Sequence, residues 1–278
     1  MYIDVENIIE KKIINIKEYK NNKNLKLAVI ITDKNTSKDV YFNSIINKCS
    51  DFCINVEKII FNEDITDEAI ISKINELNKD ESITGIIIMQ PLSKTLNSNK
   101  ILASIDYKKD VEGITEYNLG AILKGNENIM PCTVKGIIEI LNEINFEYVG
   151  KKAVIIGKSN VVGKPLAMYL INKGTTVTVC SSTTLKEDLI KFLKDADVII
   201  ASIGIPEFIT KDMVKEGSIV IDVGINKNKD GSLVGDVSKD AKSITMATKV
   251  PGGVGRFTVL SLIENLILLD KMYGKRKF

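Results

Sequence analysis

The chain has 278 residues, 44% of them hydrophobic and 27% charged, with a formal net charge of +2. That length suits one large or two modest globular domains, and the near balance of charge gives no reason to expect nucleic acid as a partner. No run of about 18 apolar residues is present, so no membrane span is expected.

The first residues, Met1 to Glu6, lack the basic-then-apolar order of a signal peptide. In the segment from Asp4 to Lys17, Val5, Ile8, Ile9, Ile13 and Ile16 share one helical face. Leu25 to Ile31 is an apolar run expected to form a buried strand. Thr36 or Ser37 is placed to cap a helix with Phe42, Ile46, Cys49 and Cys53 inward. Ile54 to Phe61 reads as a second strand, Asp67 to Leu77 as a helix burying Ile70, Ile71, Ile74 and Leu77, and Ile83 to Ile88 as a third strand. The first third is therefore βαβαβ, the pattern of a mainly parallel sheet with right-handed crossovers.

A helix around Gly136 to Ile144 is expected to join this series to a second one. There, Ala153 to Ile156 is a strand ending in a glycine turn, and Val162 to Asn172 a helix with Pro165 in its first turn. Thr176 to Val179 (strand), Leu185 to Leu193 (helix), Val198 to Ser202, Ser218 to Asp222 and Ser243 to Thr245 (strands) follow, and an apolar helix from Thr258 to Met272 closes the chain. The fold class expected from this order of elements is α/β, in two α/β units.

The chain contains no histidine. That excludes Ser-His-Asp and Cys-His catalysis, His-ligated metals and a histidine base, and no metal site is expected. The cysteines Cys49, Cys53, Cys132 and Cys180 form no C-x-x-C pair, so neither a zinc ribbon nor a thioredoxin-type site is supported. A reduced, cytoplasmic protein fits.

The first chemical signal is Gly157-Lys158-Ser159-Asn160-Val161-Val162-Gly163-Lys164-Pro165. It follows an apolar strand and opens a helix, the setting in which backbone N–H groups and a helix N-terminus hold a phosphate. The spacing is G-x-S-x-x-x-G, so a plain strand-to-helix turn also fits it. NAD-specific folds place a carboxylate at the end of the next strand, to bond the ribose 2′-OH. Here Cys180, Ser181, Ser182, Thr183 and Thr184 follow, and the first acid is Glu187. With Lys158 nearby this rim accepts a 2′-phosphate, so NADP is favoured and NAD is possible; ordinary loop chemistry is the bland account of the hydroxyls.

The stretch around Gly157 resembles the G-R-S-x-x-V-G-x-P cofactor motif of the methylenetetrahydrofolate dehydrogenase/methenyltetrahydrofolate cyclohydrolase family. Five more blocks resemble the family in order: Asp110-Val111-Glu112-Gly113 with Asn118 and Gly120; Pro131-Cys132-Thr133-Val134-Lys135-Gly136; Val220 to Asn226; Gly235-Asp236-Val237; and Val250-Pro251-Gly252-Gly253-Val254-Gly255 with Thr258-Val259. The resemblance implies two α/β domains with a cleft between them: a folate-binding catalytic domain over 1–138, completed by the C-terminal helix 258–278, and a Rossmann-like, NAD(P)-binding domain over 139–257. It also implies a homodimer acting on tetrahydrofolate one-carbon derivatives. Thr133, Gly157, Lys158, Ser159, Val162, Gly163, Ser181, Ser182 and Ile225 would then meet the cofactor. Tyr41, Gln90, Glu112, Pro251, Gly252 and Gly255 would meet the substrate.

The chemistry expected from the resemblance is hydride transfer from 5,10-methylenetetrahydrofolate to NADP+, which needs alignment and exclusion of water rather than a histidine. Glu112, where the family has Asp, is placed to hydrogen-bond the pterin. The cyclohydrolase pattern is S-x-x-Y-x-x-x-K on one helix, and here the chain departs from it. Tyr41 matches the tyrosine, but the lysine position is Ile45. Lys38 and Lys48 lie on the same stripe as Tyr41, and a lysine reaching the site from either end would do so with a geometry different by about one turn, roughly 5 Å. The expectation is that hydride transfer survives while methenyl hydrolysis is weak or absent, with Lys38 or Lys48 as the substitutes to test; both also read as solvated surface groups. Further departures are Gln90, shifted by one position from the family's glutamine, Lys158 in place of Arg, Ser181 in place of His, and Lys249, Arg256 and Phe257 around the glycine loop. Arg256 is placed to attract a folate glutamate tail. The alternatives are a two-domain dehydrogenase of another small substrate, such as a shikimate-type enzyme, and a folate-binding homologue with reduced catalysis.

Overall fold

A computed structural model describes residues 1–20, 23–32, 36–62, 64–228 and 230–274, apart from the side chains of residues 20 and 36–39. In chain order the first elements are α1 (Glu6–Lys20), β1 (Lys26–Ile31), α2 (Thr36–Asp51), β2 (Asn55–Ile60), α3 (Asp67–Lys79), β3 (Gly85–Ile88), α4 (Ser98–Leu102), α5 (Glu116–Leu123) and α6 (Cys132–Glu143). Then come β4 (Lys152–Ile156), α7 (Gly163–Asn172), β5 (Thr176–Cys180), α8 (Lys186–Asp195), β6 (Val198–Ala201), β7 (Ile219–Asp222), β8 (Asn226–Lys227), β9 (Leu233–Val234), α9 (Lys239–Ile244), β10 (Met246–Ala247) and α10 (Gly255–Tyr273).

The chain divides into two compact units. One comprises Lys11–Ala121, Asn128–Cys132 and Val259–Phe278; the other comprises Met1–Glu10, Ile122–Glu127 and Thr133–Thr258.

In the first unit the strands form a parallel sheet in the order β2-β1-β3. All four residues of β3, Gly85 among them, are buried, as are five of the six on β1, because helices cover both faces of a parallel sheet. Helix α3 shows how locally the fold is specified. Thr66 caps it by accepting the Ala69 N–H, Asp67 and Glu68 favour its positive end, and Ile70, Ile74 and Leu77 recur at helical spacing. That stripe packs on Ala28, Ile30, Ile86 and Ile88 of the sheet. Within this unit α10 is tied to α1 by the Lys12–Glu264 ion pair at 2.5 Å and by Tyr19 Oη donating to Asp270 at 2.8 Å.

In the second unit five parallel strands run in the order β10-β7-β6-β4-β5. The first strand of the series, β4, lies between β5 on one side and β6 on the other. Consecutive crossovers thus leave β4 in opposite directions, which makes the gap between β4 and β6 the topological switch point of a doubly wound sheet. Residues on one face of β4, β6 and β7, among them Val154, Ile156, Ile199 and Val220, pack against Leu189 and Leu193 of α8. Tyr2 adds an isolated parallel bridge to Ala247.

Two local expectations are corrected. Ser243 and Ile244 end α9, and the strand lies two residues on, at Met246–Ala247. The reason is a cap: Ser238 accepts the Ala241 N–H and starts a short helix that consumes the expected strand. In α2 the buried positions are Ile45 and Cys49, while Cys53 is exposed. The helix stops at Asp51, and Cys53, at φ +51°, sits in the turn beyond it.

Candidate active site

The nucleotide half of the site is built where β4 ends. Gly157 has φ +122°, and a Cβ there would lie 2.2 Å from the Ser202 carbonyl oxygen at the end of β6. A Cβ on Gly163, the first residue of α7, would lie 1.9 Å from the Gly157 carbonyl oxygen. Both positions therefore demand glycine, one to let β4 approach β6 and one to let the helix start directly on the turn. Ser159 shapes the loop between them: its Oγ accepts the Val162 N–H at 3.1 Å and its carbonyl accepts the Lys164 N–H at 3.0 Å. Val162 is the N-cap residue and makes no side-chain cap bond, so no side chain of the cap screens the positive end of α7. Lys158 is exposed on this loop.

The rim after β5 is a hydroxyl turn. The Ser181 N–H donates to Thr184 Oγ1 at 3.0 Å, Ser181 Oγ and Thr183 Oγ1 lie 2.9 Å apart, and Ser182 is exposed. Its neighbouring acids, Glu187 and Asp188, lie in the first turn of α8. A glycine turn leading directly into a helix N-terminus, with hydroxyls and no carboxylate at the adjacent strand end, fits a dinucleotide bearing a 2′-phosphate. Beyond β7, Ile225 is 63% exposed. The glycine loop ends beside it: a Cβ on Gly255 would lie 3.3 Å from Ile225 Cδ1. Pro251 and Gly252 are exposed at the tip of that loop, Pro251 after a cis peptide bond and Gly252 at φ +103°. Arg256 pairs with Glu6, so its guanidinium already has a carboxylate partner within this unit. Thr133 is half-buried in the first turn of α6.

In the other unit, Asp110 organises the segment that carries Glu112. Its buried carboxylate accepts the Gly113 N–H at 2.9 Å, the Thr115 N–H at 2.8 Å and the Asn118 amide at 2.9 Å. Gly113, at φ +68°, passes so close to Met130 that a Cβ would lie 2.6 Å from the Met130 carbonyl carbon. Asn265 of α10 clamps the same region, donating to the carbonyls of Val111 and Met130 at 2.9 Å each. Glu112 lies near enough to Tyr41 to act on its phenol electrostatically. Burial and the Asp110 carboxylate push the Glu112 pKa up to about 8. Burial, then the Glu112 charge and the Cys132 thiol, raise the Tyr41 phenol well above its ordinary value. The pair is thus a neutral phenol beside a carboxyl group poised between its two protonation states.

The remaining expected residues are placed as follows. Ile45 is fully buried one turn after Tyr41. Lys48 is bound to Asp51 at 2.9 Å. Lys38 belongs to α2, but its side chain lies outside the described residues. Gln90 is exposed just past β3, while Met89 before it is buried. Sequence reasoning passed over Asn265, which sits in an otherwise apolar helical stripe. It also gave Asp110 and Asn118 no role beyond their place in a motif, although an acid followed by backbone-favouring residues is an Asx-type loop signal.

Two family models match the chain: the tetrahydrofolate dehydrogenase/cyclohydrolase catalytic domain over residues 3–112 and the NAD(P)-binding domain of the same family over residues 131–273. A bifunctional protein FolD from Acetivibrio thermocellus is 39% identical over 93% of this chain and 90% of its own length. The solved bifunctional FolD methylenetetrahydrofolate dehydrogenase/cyclohydrolase of Campylobacter jejuni superimposes with a TM-score of 0.93 at 36% identity, covering 98% of this chain and 99% of that one. The methylenetetrahydrofolate dehydrogenase-cyclohydrolase of Trypanosoma brucei, solved with NADP and an inhibitor, gives a TM-score of 0.91 at 27% identity over 98% of this chain and 97% of that one. The chain belongs to the tetrahydrofolate dehydrogenase/cyclohydrolase family.

Proposed function

We propose that this chain oxidises 5,10-methylenetetrahydrofolate to 5,10-methenyltetrahydrofolate with NADP+, and that it hydrolyses the methenyl product poorly. The observation that carries the reading is the Gly157–Gly163 turn, whose two glycines admit no Cβ and which opens directly into α7, in a chain whose relatives are bifunctional FolD proteins. Bound NADP+ supplies the hydride acceptor at nicotinamide C4. The chain's residues bind and align. Gly157, Lys158, Ser159, Val162 and Gly163 receive the phosphates, Thr133 meets the cofactor from α6, and Ser181 and Ser182 receive the 2′-phosphate. Ile225 offers an apolar side chain to the nicotinamide. Glu112, as carboxylate, accepts the paired N–H groups of the pterin, and Tyr41 packs on its ring. Pro251, Gly252 and Gly255 let the ligand approach backbone, and Gln90 borders the substrate. The methylene unit opens to an iminium stabilised by its own nitrogen, so positioning and exclusion of water are the protein's main tasks.

Hydrolysis of the methenyl product needs a group that activates water. Ile45 can neither hold a charge nor move a proton, and its full burial leaves no room for solvent at that position. Lys48 is engaged by Asp51. Initial rates of the two steps, measured separately with NADP and NAD in parallel, test the reading. The expected result is NADP reduction with methenyltetrahydrofolate accumulating, and Lys38→Ala and Lys48→Ala leaving that accumulation unchanged. Methenyl hydrolysis as fast as NADP reduction would overturn the assignment.

We divide the function between residues 1–138 with 258–278, for folate, and 139–257, for NADP. A homodimer is proposed on the resemblance. Among the described residues no helix is long and apolar enough to cross a membrane. The free thiols of Cys49, Cys53, Cys132 and Cys180 suit a reducing compartment, and we place the protein in the cytoplasm.

A further inference from the structure

The nucleotide-binding unit contains a buried polar brace that the reading above leaves unused. Asp236 is fully buried and accepts the Ile203 N–H at 2.6 Å, the Gly204 N–H at 3.1 Å and the Asn226 amide at 2.8 Å. Its own N–H donates to Asp222 Oδ1 at 2.9 Å. Asp222, also buried, accepts the Gly224 N–H at 3.2 Å and the Val237 N–H at 3.2 Å, and pairs with Lys242 at 2.7 Å. Lys242 is itself only 6% exposed. Two glycines admit the carboxylates: a Cβ on Gly224 would lie 2.1 Å from Asp236 Oδ1, and one on Gly235 would lie 1.9 Å from Asp222 Oδ2.

What the brace holds is informative. It grips no strand interior. It fixes the segment just after β6, at Ile203 and Gly204, and the segment just after β7, from Gly224 to Asn226. Both lie at the carboxyl ends of the strands on the side of the switch point opposite β5. In a doubly wound sheet a dinucleotide lies across that crevice, one half toward each side. The adenosine half belongs with β4 and β5, so the nicotinamide half belongs with β6 and β7. Each braced segment presents an apolar side chain at the surface: Ile205, directly after Gly204, at 47% exposure, and Ile225, between Gly224 and Asn226, at 63%. Buried charge is costly to keep where an apolar core of the same shape would be as stable, and its best-attested use is to fix one arrangement.

Building on the proposed NADP-dependent activity, we propose that Asp236 is a positioning residue which, cross-braced to Asp222 and Lys242, sets the two loops that receive the nicotinamide half of the dinucleotide. It touches neither the cofactor nor the substrate. It acts through the Ile203–Gly204 and Gly224–Asn226 backbone.

The test compares two ligands by calorimetry: NADP, and adenosine 2′,5′-bisphosphate, which lacks the nicotinamide half. Wild type binds both; if it bound neither, the cofactor assignment itself would fail, and that failure is visible before any variant is made. Asp236→Asn keeps the shape and replaces one acceptor oxygen with a donor. Its expected effect is a loss of about tenfold or more in NADP affinity, with adenosine 2′,5′-bisphosphate affinity unchanged within about twofold. KM for NADP rises by the same factor. Asn226→Ala removes one donor and leaves the Asp222–Lys242 pair intact, so it reads the same effect in milder form should Asp236→Asn not fold. A merely structural role would weaken both ligands alike or neither, and either pattern overturns the proposal.

Discussion

Glu112 offers the most quantitative perturbation of the pterin half of the site. Its pKa stands at about 8 against an ordinary 4.5, raised first by desolvation and then by the charge of the Asp110 carboxylate. At pH 7 only about one molecule in eleven therefore carries the carboxylate. A pterin presents adjacent N–H donors, and the ionised form is complementary to them while the protonated acid is not. Ionising Glu112 to bind at pH 7 costs about 1.4 kcal/mol, or tenfold in affinity. The expected result is a KM for methylenetetrahydrofolate, at saturating NADP, that falls about tenfold from pH 7 to pH 9 and then levels off. Glu112→Gln should abolish that slope and raise KM at pH 9 by roughly tenfold to a hundredfold, since one pterin N–H then meets an amide donor. A wild-type KM that is flat over this range, or a glutamine variant that keeps the slope, would refute the reasoning.

Three further outcomes are expected. The raised Glu112 pKa means the folded chain retains a proton that the unfolded chain releases, so its contribution to stability is intact below pH 4.5 and declines as pH rises toward about 8. Unliganded Glu112→Gln should thus be more stable than wild type in urea at pH 8.5, by up to about 4–5 kcal/mol, and equal to it near pH 4.5; equal stability at both would contradict the assignment. Gly163→Ala places a methyl group 1.9 Å from the Gly157 oxygen, and should lower the melting temperature and cost about tenfold or more in NADP affinity. Ser181→Asp puts a carboxylate at the hydroxyl rim and should shift the NADP-to-NAD ratio of kcat/KM toward NAD by about tenfold or more. A ratio unmoved by that substitution would remove the 2′-phosphate from this rim.

Much of this was legible in the sequence because it is local. The apolar runs of β1, β3 and β4, the period of Ile70, Ile74 and Leu77, and the two glycines of the turn at Gly157 and Gly163 each state their structure within a few residues. The fold failed to be legible where neighbours competed or partners were distant. Ile45 and Ile46 are adjacent, so the stripe with Cys49 can be drawn through either, and only packing selects Ile45. Short α9 looked like a strand because its buried lysine, Lys242, breaks the apolar period, and its partner Asp222 is far away in sequence. The candidate site divides in the same way. The motif around Gly157 displays its chemistry in order. The proton on Glu112, by contrast, depends on burial and on Asp110 being folded against it, and Asn265 reaches Val111 and Met130 from the opposite end of the chain.

Hydride passes directly from the one-carbon unit to the nicotinamide in the proposed reaction. Methylenetetrahydrofolate carrying two deuterium atoms on that unit, incubated with the chain and NADP, tests this by mass spectrometry of the reduced nucleotide. NADPH bearing one deuterium at C4 is expected; NADPH free of deuterium, or no NADPH, would rule the transfer out.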